Sequence, residues 1–259
     1  MRRVVRSGVF SRSDRPLVWA HRGASADAPE NTLAAFELAA RQGADGIELD
    51  AQLCATGEVV ALHDQSLGRT TGFAGLVAET PWSRLRTLDA GARFAARFAG
   101  ERVPLLAEVL HALPRTLLVN VELKCDRLDD RGLTAAALRV IDDASAQDRV
   151  LLSSFNPLCL RRAQSLAPRL PRALLFERNA SWPLRRALAA APLRALALHP
   201  DRMLATDAAV RAWRARGYLV APWTVDDPAE ARRLAAAGAT GLITNQPARL
   251  LAALRAPAG

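Results

Sequence analysis

Short apolar runs alternate along this chain with alanine- and leucine-rich stretches of helical length. Runs with the length and residue types of strands fall at 17–20, 46–53, 59–62, 117–123, 150–154, 173–176, 195–198, 218–225 and 241–244. Helix-length segments fall between them at 32–42, 105–112, 133–144, 157–165, 182–191, 207–216, 228–237 and 247–254. Several ends carry signals of their own. Asn31 stands where a cap would open the first helix and Gly43 follows its last turn; Asp226-Asp227-Pro228 opens another that stops at Gly238.

Strand–helix alternation over the whole length predicts an α/β fold with a parallel sheet and helices outside it. About eight such units favour a closed (β/α)8 TIM barrel over an open sheet. Nine candidate strands are one too many, so one lies outside the ring. No helix fits between Leu53 and Val59, which makes that unit degenerate. From about 64 to 103 the rhythm fails in a run carrying Gly68, Gly72, Gly75, Pro81, Gly91 and Gly100, expected to be a small insertion after the third strand that covers the site. One barrel domain over about 17–249 is the expected organisation.

Composition narrows the function classes. Half of the 259 residues are apolar, enough for one large core, and no apolar run reaches the roughly 18 residues of a membrane span. The net charge of +9 invites a nucleic-acid reading, but the 35 basic residues are scattered, and a single tyrosine, Tyr218, leaves few stacking platforms. No nucleic-acid partner is expected. Cys54, Cys125 and Cys159 form no zinc-like or CxxC spacing, and after Arg2, Arg3 and Arg6 the polar segment from Ser11 to Arg15 takes the place of a signal's apolar core. A cytoplasmic protein, monomeric or a simple homo-oligomer and not inserted in a membrane, is the expectation.

Candidate chemistry gathers at strand ends. In Glu48-Leu49-Asp50 two carboxylates share one strand face; they are either surface acids or a pair that holds a cation. Asn120, Glu122 and Lys124 share a face in the same way. Lys124 is the single lysine of the chain, a compact ammonium where arginine is otherwise used throughout; it serves a polar pocket or simply pairs with Glu122 or Asp126. His21 and His63 each stand where an apolar strand gives way to loop, the reactive face of a barrel. His199 is placed similarly, as pocket wall or structural imidazole, and His111 lies within a helix.

The ordered fragments Ala20-His21-Arg22-Gly23, Pro29-Glu30-Asn31-Thr32, Gly46-Ile47-Glu48-Leu49-Asp50 and Leu62-His63-Asp64 resemble the glycerophosphodiester phosphodiesterase family. The resemblance continues through Leu67-Gly68-Arg69-Thr70-Thr71, Val121-Glu122-Leu123-Lys124, Ser154-Phe155-Asn156-Pro157, Leu198-His199-Pro200 and Pro222-Trp223-Thr224-Val225. It implies a phospholipase C-like barrel that hydrolyses glycerophosphodiesters, a small-molecule substrate, to sn-glycerol 3-phosphate and an alcohol. Glu48, Asp50 and Glu122 match the ligands of one divalent cation, an all-oxygen set suited to Mg2+ or Ca2+; His21 and His63 match the acid/base pair. Arg22 and Lys124 match phosphate-binding positions, Trp223 a pocket aromatic, with Glu30 bracing Arg22 or shaping the glycerol end and Phe155 near the pocket wall. A lysophospholipase D-like barrel acting on lysolipids and a non-catalytic barrel binding phosphorylated ligands are the alternatives. Two positions depart from the family: Ala51 replaces the usual valine, and Asn245 stands where aspartate is common, expected to touch none of the core groups.

Overall fold

The computed structural model describes residues 7–125 and 129–255; Arg2, Arg3, Arg6 and Asp126 lie outside them. The strands are β1 Leu17–His21, β2 Gly46–Leu53, β3 Val59–Ala61, β4 Leu118–Leu123, β5 Val150–Ser154, β6 Arg172–Phe176, β7 Ala197–Pro200, β8 Leu219–Val220 and β9 Gly241–Thr244. The helices are α1 Leu33–Arg41, α2 Gly68–Thr71, α3 Trp82–Leu85, α4 Leu106–Ala112, α5 Leu133–Asp143, α6 Pro157–Leu166, α7 Trp182–Arg185, α8 Asp207–Ala215, α9 Pro228–Ala236 and α10 Pro247–Arg255. No helix among the described residues is long and apolar enough to cross a membrane.

Eight strands run parallel in the order β8-β7-β6-β5-β4-β2-β1-β9. The two ends of that path meet: Thr240 N–H donates to Val220 O at 2.8 Å, Ile243 N–H to Pro222 O at 3.0 Å and Val225 N–H to Ile243 O at 2.9 Å. The result is a nearly closed (β/α)8 barrel. The ninth strand, β3, lies off this path: it folds back antiparallel on the outer half of β2, pairing Ala51 with Ala61 and Leu53 with Val59. That hairpin explains the missing helix after Leu53. It also means that His63 ends a returning strand and not a barrel strand, as the sequence pattern had suggested.

Alternation within each strand sorts the core. Leu17 and Trp19, Leu118, Leu151, Ala173, Ala197, Ala221 and Ile243 fill the barrel interior, and Phe10, stacked on Trp19 at 6.4 Å, closes the bottom. Gly46 leaves room for this plug, since a Cβ there would lie 2.7 Å from the Trp19 ring. The alternate residues, such as Val18, Ile47, Leu49, Val119 and Val121, face the surrounding helices. The segment after β3 builds a small core of its own from Leu62, Leu67, Val77, Leu85, Leu88 and Val103, with only short helices.

Three expected element boundaries shift. The first helix is capped by Thr32, whose hydroxyl accepts from Ala35 N–H at 3.3 Å, and not by Asn31. The segment expected as a helix over 182–191 stops after Arg185, because Ala187 turns to φ 52° and buries itself with Ala190 under the sheet. Packing overrides helix propensity there. The strand expected over 218–225 is regular only at Leu219–Val220, although the N–H groups of Ala221 and Trp223 still bond Leu198 O and Pro200 O at 2.9 and 3.0 Å.

Candidate active site

Parallel register carries the inner-face alternation upward into a polar layer. His21 pairs with Glu48, Glu48 with Asn120, and Asp50 with Glu122, so the side chains following the apolar plug converge at the C-terminal end of β1, β2 and β4. One oxygen from each of Glu48, Asp50 and Glu122 lies within 4.8 Å of the other two, and all three residues are buried. A cavity of roughly 480 Å³ opens over them, walled by His21, Arg22, His63, Lys124, Phe155 and Trp223.

Two cations face the acids. Lys124 Nζ lies 2.9 Å from Glu122 Oε1 and 3.6 Å from Asp50 Oδ1. Arg22 Nε lies 3.2 Å from Asp50 Oδ2, and its Nη1 donates to Glu30 Oε1 at 3.1 Å. Arg22 reaches this position from a left-handed backbone (φ 56°), and the following Gly23 (φ 84°) is obligatory: a Cβ there would stand 2.6 Å from the Ala35 carbonyl carbon. Asn31, also left-handed at φ 58°, braces Asp50 twice, donating from Nδ2 to its Oδ2 at 2.8 Å and accepting its N–H at 3.2 Å. The expected helix cap is instead a support for an acid of the site.

Burial, then the Asp50 and Glu122 charges, push the Glu48 carboxyl well up; burial and Asp50 push Glu122 up to about 7. Asp50 goes the other way: burial opposes ionisation, but Arg22, Lys124 and His63 outweigh it and hold its carboxyl below the usual range. Glu48 Oε1 and Asp50 Oδ1 are buried without a hydrogen-bond partner. Crowded, orphaned carboxylate oxygens of this kind fit a hard divalent cation, which would satisfy them together. The cluster could hold a metal ion.

The imidazoles are held by their Nδ1 atoms. His63 Nδ1 lies 2.7 Å from Asp64 Oδ1, and Arg69, from α2, reaches Asp64 Oδ2 at 2.5 Å while forking both oxygens of Glu30 at 2.7 Å. Arg69 holds the Asp64 carboxyl down at about 2, and with Arg22 it keeps Glu30 low against the effect of burial. Arg22, Glu30, Arg69, Asp64 and His63 thus form one connected chain of polar contacts from guanidinium to imidazole. Gln52 Nε2 fixes the backbone beneath His63, lying 2.7, 3.0 and 2.8 Å from the carbonyls of Leu62, His63 and Asp64. His21 Nδ1 lies 2.8 Å from Asn245 Oδ1, which corrects the expectation that Asn245 touches none of the core groups. Burial, then the Arg22 charge, lowers the His21 imidazole to about 4.

Phe155 and Trp223 meet edge to face on the opposite wall, ring centroids 5.5 Å apart, with Trp223 Nε1 donating to His199 O at 3.0 Å. His199 itself is 1% exposed inside the barrel, so of its two readings the structural one holds. His111 is exposed on α4 and bonds Ala107 O within its own helix. Gln52, Asp64, Arg69 and Asp226 were not singled out as site residues from the sequence. Asp64 and Arg69 lie in quoted motif fragments, whereas Gln52 and Asp226 carry no local signal.

The model of the glycerophosphoryl diester phosphodiesterase family matches residues 21–249. The chain belongs to that family. A glycerophosphodiester phosphodiesterase of Caldanaerobacter subterraneus subsp. tengcongensis is 38% identical over 242 residues, covering 93% of this chain and 98% of that protein. One of Bacillus subtilis is 31% identical over 248 residues, covering 90% of this chain and 85% of its own length. Among solved structures, an Oleispira antarctica phosphodiesterase in complex with the product sn-glycerol-3-phosphate superposes with a TM-score of 0.86 at 33% identity, covering 93% of this chain and 98% of that one. Family and fold agree, and the chain is an enzyme of the phosphoric diester hydrolase class.

Proposed function

We propose that this chain hydrolyses glycerophosphodiesters to sn-glycerol 3-phosphate and an alcohol, with Glu48, Asp50 and Glu122 holding one divalent cation, Mg2+ or Ca2+, and His21 and His63 moving the protons. The observation that carries the reading is the convergence of three buried acids within 4.8 Å beneath a cavity walled by both imidazoles and by Arg22 and Lys124. The same product bound to the Oleispira antarctica relative supports the substrate class.

A phosphodiester is anionic and repels an incoming oxygen, so charge neutralisation must accompany proton transfer. A bound cation would supply electrostatic stabilisation of the phosphoryl oxygens and lower the pKa of an oxygen it touches. Arg22 presents guanidinium donors suited to a phosphate edge, kept in place by Glu30 and Asp50. Lys124 supplies a compact positive charge that offsets the repulsion between Glu122 and Asp50. With both Nδ1 atoms engaged, His21 and His63 are left with Nε2 for the substrate. One takes the proton of the attacking oxygen and the other gives a proton to the departing alcohol, as general base and general acid. Phe155 and Trp223 line the wall as the apolar side of the substrate pocket. Cytoplasmic action is part of the proposal, in keeping with three widely spaced cysteines that form no disulfide-framework pattern.

The experiment is release of glycerol 3-phosphate from glycerophosphocholine and glycerophosphoethanolamine before and after chelation. The expected result is turnover that EDTA abolishes and that Mg2+ or Ca2+ restores. Undiminished turnover after exhaustive metal removal contradicts the assignment of the three acids.

A further inference from the structure

His21 can exchange a proton with substrate only if the correct ring nitrogen faces the cavity, so whatever fixes its tautomer is part of the machinery. Its Nδ1 lies 2.8 Å from the side-chain oxygen of Asn245, at the mouth of β9. The Asn245 amide has one orientation available. Its Nδ2 donates to Asp226 Oδ2 at 2.7 Å, while the Asn245 N–H and the Thr244 hydroxyl both donate to Asp226 Oδ1 at 2.8 Å. Exchanging amide oxygen and nitrogen would set oxygen against carboxylate. Oδ1 therefore faces the ring, and because a carbonyl oxygen only accepts, Nδ1 carries the hydrogen. The Ser25 hydroxyl, 2.9 Å from Asn245 Oδ1 and 2.8 Å from His21 O, ties the same oxygen to the turn after β1. Nε2 is left turned toward Glu48, 4.0 Å from its Oε2.

We propose that Asp226 and Asn245 are a positioning pair that locks neutral His21 as the Nδ1–H tautomer, with the Nε2 lone pair presented to the phosphodiester. The proposal deepens, and rests on, the hydrolytic reading above. An amide orients the ring as a carboxylate would, without adding a fourth negative side chain beside Glu48, Asp50 and Glu122. The arrangement differs from that of His63, whose Nδ1 partner is the Asp64 carboxylate.

The test is long-range 1H–15N NMR of histidine-labelled protein, with the His21 signal identified by its loss in His21→Ala, alongside steady-state kinetics on glycerophosphocholine. The wild-type His21 ring is expected to be Nδ1–H. In Asn245→Ala the Nε2–H form appears and kcat falls about 10–100-fold, the scale of lost supporting contacts, with KM within about 3-fold. Asn245→Asp alone stays impaired, because two carboxylates then face each other. Adding Asp226→Asn restores a donor to that contact, and kcat recovers to within about 5-fold of wild type with the Nδ1–H tautomer regained. An Nε2–H ring in the wild type, or Asn245→Ala with unchanged tautomer and rate, overturns the proposal. So does a double variant no better than Asn245→Asp, which also carries the test if Asn245→Ala does not fold. If the wild type hydrolyses no diester, the hydrolytic reading fails while the tautomer signal still decides the lock.

Discussion

His21 and His63 each have Nδ1 engaged by the protein, and under the proposed mechanism Nε2 is the nitrogen that meets the substrate. His63 leans on Asp64 and His21 on Asn245, so the two rings are oriented before any substrate arrives. Replacing either His21 or His63 by alanine is therefore expected to lower kcat by at least about 100-fold, the usual scale for an acid–base group, with near-wild-type thermal stability. Near-normal turnover in either variant removes that residue from the mechanism. At this scale much of the candidate site was legible, because strand alternation alone puts Glu48 with Asp50, and Asn120 with Glu122, on shared faces. Their convergence is a matter of parallel register, which no local pattern encodes. Supporting residues were the hard part. Asn31 carries the chemistry of a helix cap and stands one residue from the real one, yet its left-handed backbone turns its amide onto Asp50. Asn245 reaches His21 across 224 positions of sequence, so only closure of the ring brings them together.

Among the elements, the barrel strands and most helices were readable from apolar period and caps. The misreadings have physical causes: past Leu219–Val220 only scattered backbone bonds continue β8, the left-handed and buried Ala187 follows the early end of α7, and β3 obeys strand period but pairs outside the ring. The β2–β3 hairpin matters for function because its return brings His63 back to the rim, where Leu62 N–H bonds Asp50 O at 2.9 Å. The small subcore after β3 then places α2 so that Arg69 clasps Glu30 and Asp64. Arg69→Ala should cost about 10–100-fold in kcat/KM, the range for groups that orient a catalytic shell, while Arg69→Lys recovers only part of it, since an ammonium cannot fork Glu30. The check is kinetics on folded protein; full activity in Arg69→Ala would show that the insertion does not brace the site.

The whole molecule is an apolar barrel whose interior changes from a hydrophobic plug at the bottom to charge at the top. That charge has a stability consequence. Glu122, raised to about 7, and Glu48, raised well above its ordinary value, favour their protonated forms in the fold. A raised acid contributes stability below its unfolded pKa, and that contribution is lost as pH rises through the folded value. These two acids should accordingly withdraw stability from the metal-free protein between about pH 4.5 and about pH 7, against the gain that His21, lowered to about 4, and His199, lowered to about 3, make up to about pH 6.5, and a divalent ion that binds the ionised acids should cancel the acids' loss. The rise in Tm on adding Mg2+ or Ca2+ is thus expected to be larger at about pH 8 than at about pH 5.5, as differential scanning calorimetry would show; the reverse order would contradict it. The most direct measurement of the central claim is calorimetric titration of metal-stripped protein with Mg2+ and Ca2+, beside Glu48→Gln, Asp50→Asn and Glu122→Gln. One ion per chain is expected to bind the wild type, with binding weakened at least about 10-fold in each variant; wild-type affinity in all three variants, or no binding by the wild type, would contradict the three-acid metal site.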